Sequence, residues 1–302
     1  MRSTIDTAFR EITIHSPAKI NLTLAVHGKR PDGFHELTSL VVALKFGDTL
    51  KVRRVDAVSD LLECSNPAVP TGAENLVLKA AAAFRERLKS KAHFEFHLDK
   101  RIPLGAGFGG GSGNAVAALT AMNQLLDNSL DQEAMLELAA GLGSDCPFFI
   151  DAKPAWMCGR GERLEPLAPS SAKPLANMPV ILIKPDISVG TAWAYSRLAD
   201  KAPMYYQTEA VDKAAQEASI QNGKLATLLY NSFEEPVGEK YLAVSTLLEQ
   251  LSASGVTCLM SGSGSGCFIL PQYSDVDVQT IRVIVQNAWG KDTFWVETSI
   301  HS

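Results

Sequence analysis

Residues 102–126 read IPLGAGFGGGSGNAVAALTAMNQLL, and the rest of the chain is read outward from them. Six glycines and two small polar residues, Ser112 and Asn114, fall between Gly105 and Asn114, and Ala-rich sequence with apolar residues at helical spacing follows without a break. The pattern predicts a glycine loop feeding a helix. Glycine admits positive φ and lets a ligand approach bare backbone, while the first helical turn leaves N–H groups without intrahelical partners. Those donors and the positive end of the helix dipole favour a bound anion, usually phosphate.

Two known loops compete for this stretch. A Walker A loop needs Lys and then Ser or Thr directly after its last glycine, whereas Ser112, Gly113 and Asn114 follow here, so Walker A is excluded. Gly105, Gly107 and Gly110 do fit the dinucleotide fingerprint G-x-G-x-x-G. That fingerprint follows a wholly buried strand, however, and HFEFHL at residues 93–98 alternates polar with apolar before the charged Asp99, Lys100 and Arg101 and then Pro103. A turn that merely caps a helix would not use so many glycines, because each costs chain entropy on folding.

A chain of 302 residues suits one large domain or two of ordinary size. With 46% hydrophobic and 20% charged residues it reads as globular. Its net charge of −5 and pI near 5.7 argue against nucleic acid as partner, since a polyanion binder carries a basic footprint. Two small basic islands, Gly28-Lys29-Arg30 and Asp99-Lys100-Arg101, suit a small phosphorylated ligand, although ordinary solvated turns account for either one equally well. Five cysteines, an odd number without a C-x-x-C pair, read as buried thiols in a reducing compartment. The opening MRSTIDTAFREITI has no apolar signal core and no run approaches a membrane span, so a cytoplasmic protein without a membrane partner is expected, working as a monomer or homodimer.

Short strands are expected over EITIHS, INLTLAVHG and LTSLVVALKFGDTLKVRRV in residues 11–55, with a turn at residues 29–33. Alternation of Ile20, Leu22, Leu24 and Val26 puts Lys19 and Asn21 together on the opposite face. A lysine there either snorkels at the surface or aims its charge at an anion, and it could replace the lysine that the loop lacks. Helices are expected from residue 74 to 89, through the loop helix to about residue 127, and over residues 129–141. Asp145 then sits in a small-residue turn before an apolar strand, where capping or chemistry would explain it. A hairpin around residues 159–161 leads to a Pro-, Ser- and Ala-rich stretch at residues 167–179, where the domain boundary is placed, giving domains 1–170 and 171–302. The second half alternates: strand 179–184, a short helix from Thr191, helical sequence through 210–230, helix 236–252, strand 256–260, strand 267–270, helix 274–289 and strand 293–297. That is an α+β layer. SGSGSG at residues 261–266 joins two apolar strands without slack and reads as a tight loop close to a ligand rather than a linker.

Three pieces, PAKINL at residues 17–22, the lysine-free loop at residues 103–115 and SGSGSG at residues 261–266, occur in the order of the GHMP kinases, which the chain resembles. That superfamily includes galactokinase, homoserine kinase and mevalonate kinase. GKRPDGFH at residues 28–35, FGDT at 46–49, ENL at 74–76 and LGSDCP at 142–147 are similar to the branch that phosphorylates a cytidine diphosphate sugar alcohol in the non-mevalonate route to isoprenoids. The resemblance implies a two-domain fold, an N-terminal ATP domain like ribosomal protein S5 with a left-handed β-α-β crossover and a ferredoxin-like C-terminal domain, with the active site in the cleft between them. It also implies transfer of the γ-phosphoryl of ATP, with Mg²⁺, to the 2-hydroxyl of the methylerythritol part of the acceptor. Carried over by position, Asp145 would take the hydroxyl proton with Lys19 beside it, a division of labour that suits a loose, electrostatically governed transfer. Pro103, Gly105, Gly107, Gly109, Gly110, Gly111, Ser112 and Asn114 would form the nucleotide cradle, and Asn75 and Lys100 match positions lining the adenosine pocket, although an Asn at a helix start also suits a cap. Asn21 falls on the acceptor side; His35 matches the position that engages cytosine, and Phe34 and Tyr195 match the aromatics that sandwich it. Phe34 stands where Tyr is usual, Gly113 where a second Ser is common and Tyr195 where Phe is often found. No residue pair identifies a metal site. Another GHMP kinase would not need Phe34, His35 and Tyr195 to meet a cytosine, and a catalytically silent ATP-binding protein would not need both Lys19 and Asp145.

Overall fold

In the computed structural model, residues 3–6 and 11–302 are described. The elements begin β1 (Ser3–Asp6), β2 (Glu11–Lys29), β3 (His35–Val55), β4 (Leu61–Cys64), α1 (Leu76–Leu88), β5 (His93–Asp99), α2 (Gly110–Leu125), α3 (Gln132–Leu142), α4 (Phe148–Asp151), β6 (Ala155–Gly159) and β7 (Arg163–Pro166). They continue α5 (Pro169–Ala172), β8 (Pro179–Lys184), α6 (Thr191–Asp200), α7 (Lys213–Gln221), β9 (Tyr230–Asn231), α8 (Glu234–Lys240), α9 (Leu242–Ala253), β10 (Cys258–Met260), β11 (Cys267–Ile269), α10 (Val278–Trp289) and β12 (Phe294–Ser299). By contact the chain forms two compact units that interleave along the sequence. The first holds the described residues up to Ala18, with Gly47–Leu104 and Gly109–Ala152; the second holds Lys19–Phe46, Gly105–Phe108 and Lys153–Ser302. β2 and β3 each run from one unit into the other.

In the first unit the end of β3 pairs antiparallel with β5, from Thr49 opposite Asp99 to Val55 opposite His93, and β4 pairs parallel with β5 on its other edge. A parallel pair needs a crossover, and α1 supplies it. α1 starts on Asn75, whose side chain accepts the Val77 N–H, and stops at Lys89 in the left-handed conformation. α2 is buried on almost every side, as a helix built of Ala, Val, Leu and Met should be, and its small side chains let it pack against α1.

In the second unit the start of β3 pairs with β6, which forms the expected hairpin with β7, while β9 runs parallel to β2 at Thr23 and Leu24. Farther along, β10, β11, β8 and β12 lie in that order in a four-stranded antiparallel sheet. The observed class is α+β, as the alternation predicted.

Several local expectations change. EITIHS and INLTLAVHG are one 19-residue strand, because Pro17 and Ala18 continue the extended backbone instead of breaking it. Both faces of that strand are buried from Ser16 to Val26, so the polar residues at 19, 21 and 23 lie inside the protein and not on a wet face. The apolar run after Asp145 is the short helix α4, since four residues are too few for periodicity to separate helix from strand. Helical sequence at 236–252 breaks at Tyr241 (φ −112°, ψ 68°) into α8 and α9, and the 210–230 stretch is helical only over α7 and a 3₁₀ turn before β9. Of the cysteines, 146, 158 and 267 are buried as expected, but Cys64 and Cys258 are half-buried.

Candidate active site

The glycine loop is narrower than the sequence suggested: α2 begins at Gly110, so residues 110–114 are the helix's own first turn. Pro103 is half-buried between β5 and the loop. Gly105, Gly107 and Gly109 take φ of 59°, 73° and 72°, and Gly109 is the N-cap of α2 with no side-chain cap bond among the described residues. The leading N–H groups of α2 are therefore left for something other than a side chain.

Residues 105–108 are fastened within the second unit by backbone. The N–H of Ser265 donates to Gly105 O (3.2 Å), that of Gly266 to Ala106 O (3.1 Å), and that of Lys19 to Phe108 O (2.9 Å). Ser261 Oγ donates to Gly107 O at 3.3 Å and accepts the Asn21 N–H at 3.3 Å. So residues 19–22 of PAKINL, the first half of the glycine loop and SGSGSG, all singled out in the sequence, meet in one unit. The contact is so close that a Cβ on Gly107 would lie 2.0 Å from Ser261 O.

Lys19 does not snorkel. It is 4% exposed, its ammonium donates to Asn21 Oδ1 at 2.6 Å, and the Asn21 amide donates onward to Ser39 Oγ at 2.8 Å. Ser39 closes the chain by donating to Thr23 O at 2.6 Å. Burial of an ammonium is costly unless charge or dipoles meet it, so this lysine is held at a fixed address by its neighbours. Asn231, which the sequence did not flag, donates to both Met260 O (2.7 Å) and Gly262 O (2.9 Å) and shapes the entry to SGSGSG.

The first unit holds the other half of the loop. Asp48, fully buried, accepts from the Lys100 ammonium, from the N–H groups of Arg101 (2.7 Å) and Ile102 (2.8 Å), and from Asn114 Nδ2 (2.9 Å). Lys100 also donates to Asn114 Oδ1 at 3.1 Å, and Asn114 Nδ2 reaches Ser16 Oγ at 3.0 Å. Asn75 caps α1 and donates to Pro70 O at 2.6 Å. Asp145 occupies the turn between α3 and α4, next to Cys146, whose thiol bonds Ser112 at the start of α2. Burial, opposed by that bond, pushes the Cys146 thiol up to about 11, so it stays protonated at neutral pH. Gly113, where a serine is common, has Ser16 Oγ 2.8 Å from the place its Cβ would take, so in this chain Ser16 fills the room a side chain would need.

Elsewhere in the second unit, His35 is buried, with Tyr195 at 4.9 Å between ring centroids and Tyr206 hydrogen-bonded to its Nε2 at 3.2 Å. Tyr195 stands edge-on to Phe233 at 4.8 Å. Phe34 is 47% exposed with the Arg160 guanidinium 4.8 Å from its ring centroid. Desolvation, with a smaller contribution from Lys29, lowers the His35 pKa, which keeps the ring neutral at pH 7. Neither Tyr206 nor Arg160 carried a local signal in the sequence. The basic island at residues 28–30 is partly neutralised, because Arg30 pairs with Asp32 (3.1 Å) and Glu36 (2.5 Å).

The GHMP kinases N-terminal domain model matches residues 75–153 and the GHMP kinases C-terminal model matches residues 210–289. The chain is 38% identical over 262 residues to a 4-diphosphocytidyl-2-C-methyl-D-erythritol kinase of Protochlamydia amoebophila, covering 86% of this chain and 85% of that one. A kinase of the same name from Prochlorococcus marinus is 36% identical over 278 residues, with 88% and 85% covered. A crystal structure of 4-(cytidine 5'-diphospho)-2C-methyl-D-erythritol kinase aligns with a TM-score of 0.75 at 31% identity over 96% of this chain and 99% of that one. Homoserine kinase from Cytophaga hutchinsonii, at 19% identity and a TM-score of 0.68, shares the fold alone. A two-domain α+β chain with a lysine-free glycine loop and matches to both family domains belongs to the GHMP kinases, the ATP-dependent small-molecule kinases. Within them it is a member of the 4-diphosphocytidyl-2-C-methyl-D-erythritol kinases.

Proposed function

We propose that the protein transfers the γ-phosphoryl of ATP to the 2-hydroxyl of 4-diphosphocytidyl-2-C-methyl-D-erythritol. The observation that carries this reading is the meeting of Lys19, Asn21, residues 105–108 and residues 261–266 in one hydrogen-bonded cluster, in a chain whose relatives bear that activity in their names. Asp145 takes the hydroxyl proton as general base, and Lys19 stabilises the charge on the transferring oxygens. The N–H groups at the start of α2, with Ser112, hold the ATP phosphates. Asn75 and Lys100 act on the adenosine side through the structure they cap and brace. Phe34 and Tyr195 stack on the cytosine, and His35 reads its edge.

ATP is expected to come with Mg²⁺, which takes oxygen ligands and keeps phosphates and waters around it, with one or two protein oxygens. The Ser112 hydroxyl at the start of α2 is an oxygen donor of the right kind, and among the described residues no group of three or more His, Cys, Asp or Glu forms a cage. Bound there, Mg²⁺ would neutralise phosphate charge. Along the sequence the family domains divide as 1–170 and 171–302, a reading supported by family matches on either side of the cut, whereas by contact residues 19–46, 105–108 and 153–170 pack with the second half. The protein acts in the cytoplasm, as a monomer or homodimer and on small molecules; among the described residues no helix is long and apolar enough to cross a membrane.

A coupled ADP-release assay tests the acceptor. Turnover is expected with the cytidylated methylerythritol and not with homoserine or mevalonate; equal turnover with either of those would remove the cytidine assignment. The pH dependence tests His35. Its folded pKa lies below the unfolded value of about 6.5, so its contribution to stability is present above that pH and is lost as pH falls towards the folded value. The acceptor KM should be flat above neutrality and rise in the same acid window, and His35→Gln should flatten that rise. A wild-type KM that stays constant from neutrality down through the histidine range would show that His35 does not meet the base.

A further inference from the structure

We infer that Asp48 is a positioning residue for ATP, setting the start of α2 through Lys100 and Asn114; the inference rests on the assignment of that helix start to the ATP phosphates. Asp48 is fully buried, so it touches no ligand itself. Its carboxylate is met by an ammonium and three N–H donors from two separate stretches, the β5–α2 connection and the first turn of α2. A buried charge is tolerated only while such partners stay in place, so residues 100–102 and the helix start cannot drift apart without stranding it. Ser16 extends the brace to β2 by accepting from Asn114 Nδ2 at 3.0 Å.

The brace reaches the binding surface at Gly110. The Lys100 ammonium lies 2.6 Å from where a Cβ on Gly110 would sit, directly behind the first N–H groups of α2. Donors that bind an anion work in proportion to how well they are aimed before it arrives, and small misplacements are costly. Lys100 is only 4% exposed at its side chain, and its hydrogen bonds go to Asp48 and Asn114. It therefore acts on the nucleotide through the backbone it supports.

The test removes the charge pair as a unit. Asp48→Asn alone leaves the Lys100 ammonium buried without its counterion, so the informative variant is Asp48→Asn with Lys100→Met. Calorimetric titration with ADP should show affinity down by about 10- to 100-fold, and the KM for ATP should rise in step. The acceptor KM should stay near that of the parent, a split that general loosening of the fold would not give. If ADP affinity is unchanged, or if ADP and acceptor constants rise together, the inference is overturned. Failure of the unmodified protein to bind ADP would instead overturn the function it rests on. Should the double variant not fold, Ser16→Ala carries the test: weaker ADP binding with an unchanged acceptor KM supports the brace, and unchanged ADP binding overturns it.

Discussion

Replacing Asp145 with asparagine is expected to lower turnover by about 10²- to 10⁴-fold, the range for loss of a general base, with both KM values changed little. The amide keeps the size of the carboxylate but cannot take a proton or carry its charge. The turn around it should survive, because its backbone bonds, Cys146 N to Gly143 O at 3.0 Å and Phe149 N to Cys146 O at 3.0 Å, do not use the carboxylate, and Cys146 is fully buried beneath it. Lys19→Met should fall in turnover as well, by about 10²- to 10³-fold if its ammonium stabilises the transferring oxygens. Methionine is the better replacement, because Lys19 is buried and alanine would add a cavity to the lost charge. Steady-state kinetics with a melting curve on each variant separate lost chemistry from lost folding. Turnover unchanged in either variant would withdraw that residue's role.

Gly107→Ala is expected to be the most damaging single methyl in the loop. Gly107 has φ of 73°, and its Cβ would fall 2.0 Å from Ser261 O and 3.2 Å from Gly264 N, all backbone that cannot swing aside. Left-handed φ costs a non-glycine about 1–2 kcal/mol and overpacking about 1–3 kcal/mol. A loss of about 3 kcal/mol, or roughly 5 °C in melting temperature for a chain of this length, follows. Gly111→Ala is the contrast: it lies in the first turn of α2 and its Cβ would have Leu76 at an ordinary 3.6 Å. Its stability should hold or rise by up to about 1 kcal/mol from helix propensity, while its KM for ATP should rise if phosphate lies against that backbone. Equal melting temperatures for Gly107→Ala and the parent would contradict the packing of residues 105–108 on residues 261–266.

Wherever a conformation or a face follows from neighbours in the chain, the sequence was legible. The glycines before α2, the cap at Asn75, the 6-residue β8 and the shared face of Lys19 and Asn21 all depend on backbone geometry over a few residues. Short apolar runs misled where that geometry is degenerate, as at α4, and the break at Tyr241 left no local mark.

What only the tertiary structure decided is where each charge and ring finds its partner. Nothing near Lys100 says that its ammonium is neutralised by a carboxylate 52 residues earlier, and nothing near His35 names the tyrosine 171 residues later that holds its Nε2. Nor could alternation along β2 show that its second face is also covered, which turns Lys19 from a surface lysine into a buried one. Periodicity reports which way a side chain points, and chain folding supplies what waits there, because burial and charge pairing are properties of contacts between distant segments and not of spacing within one.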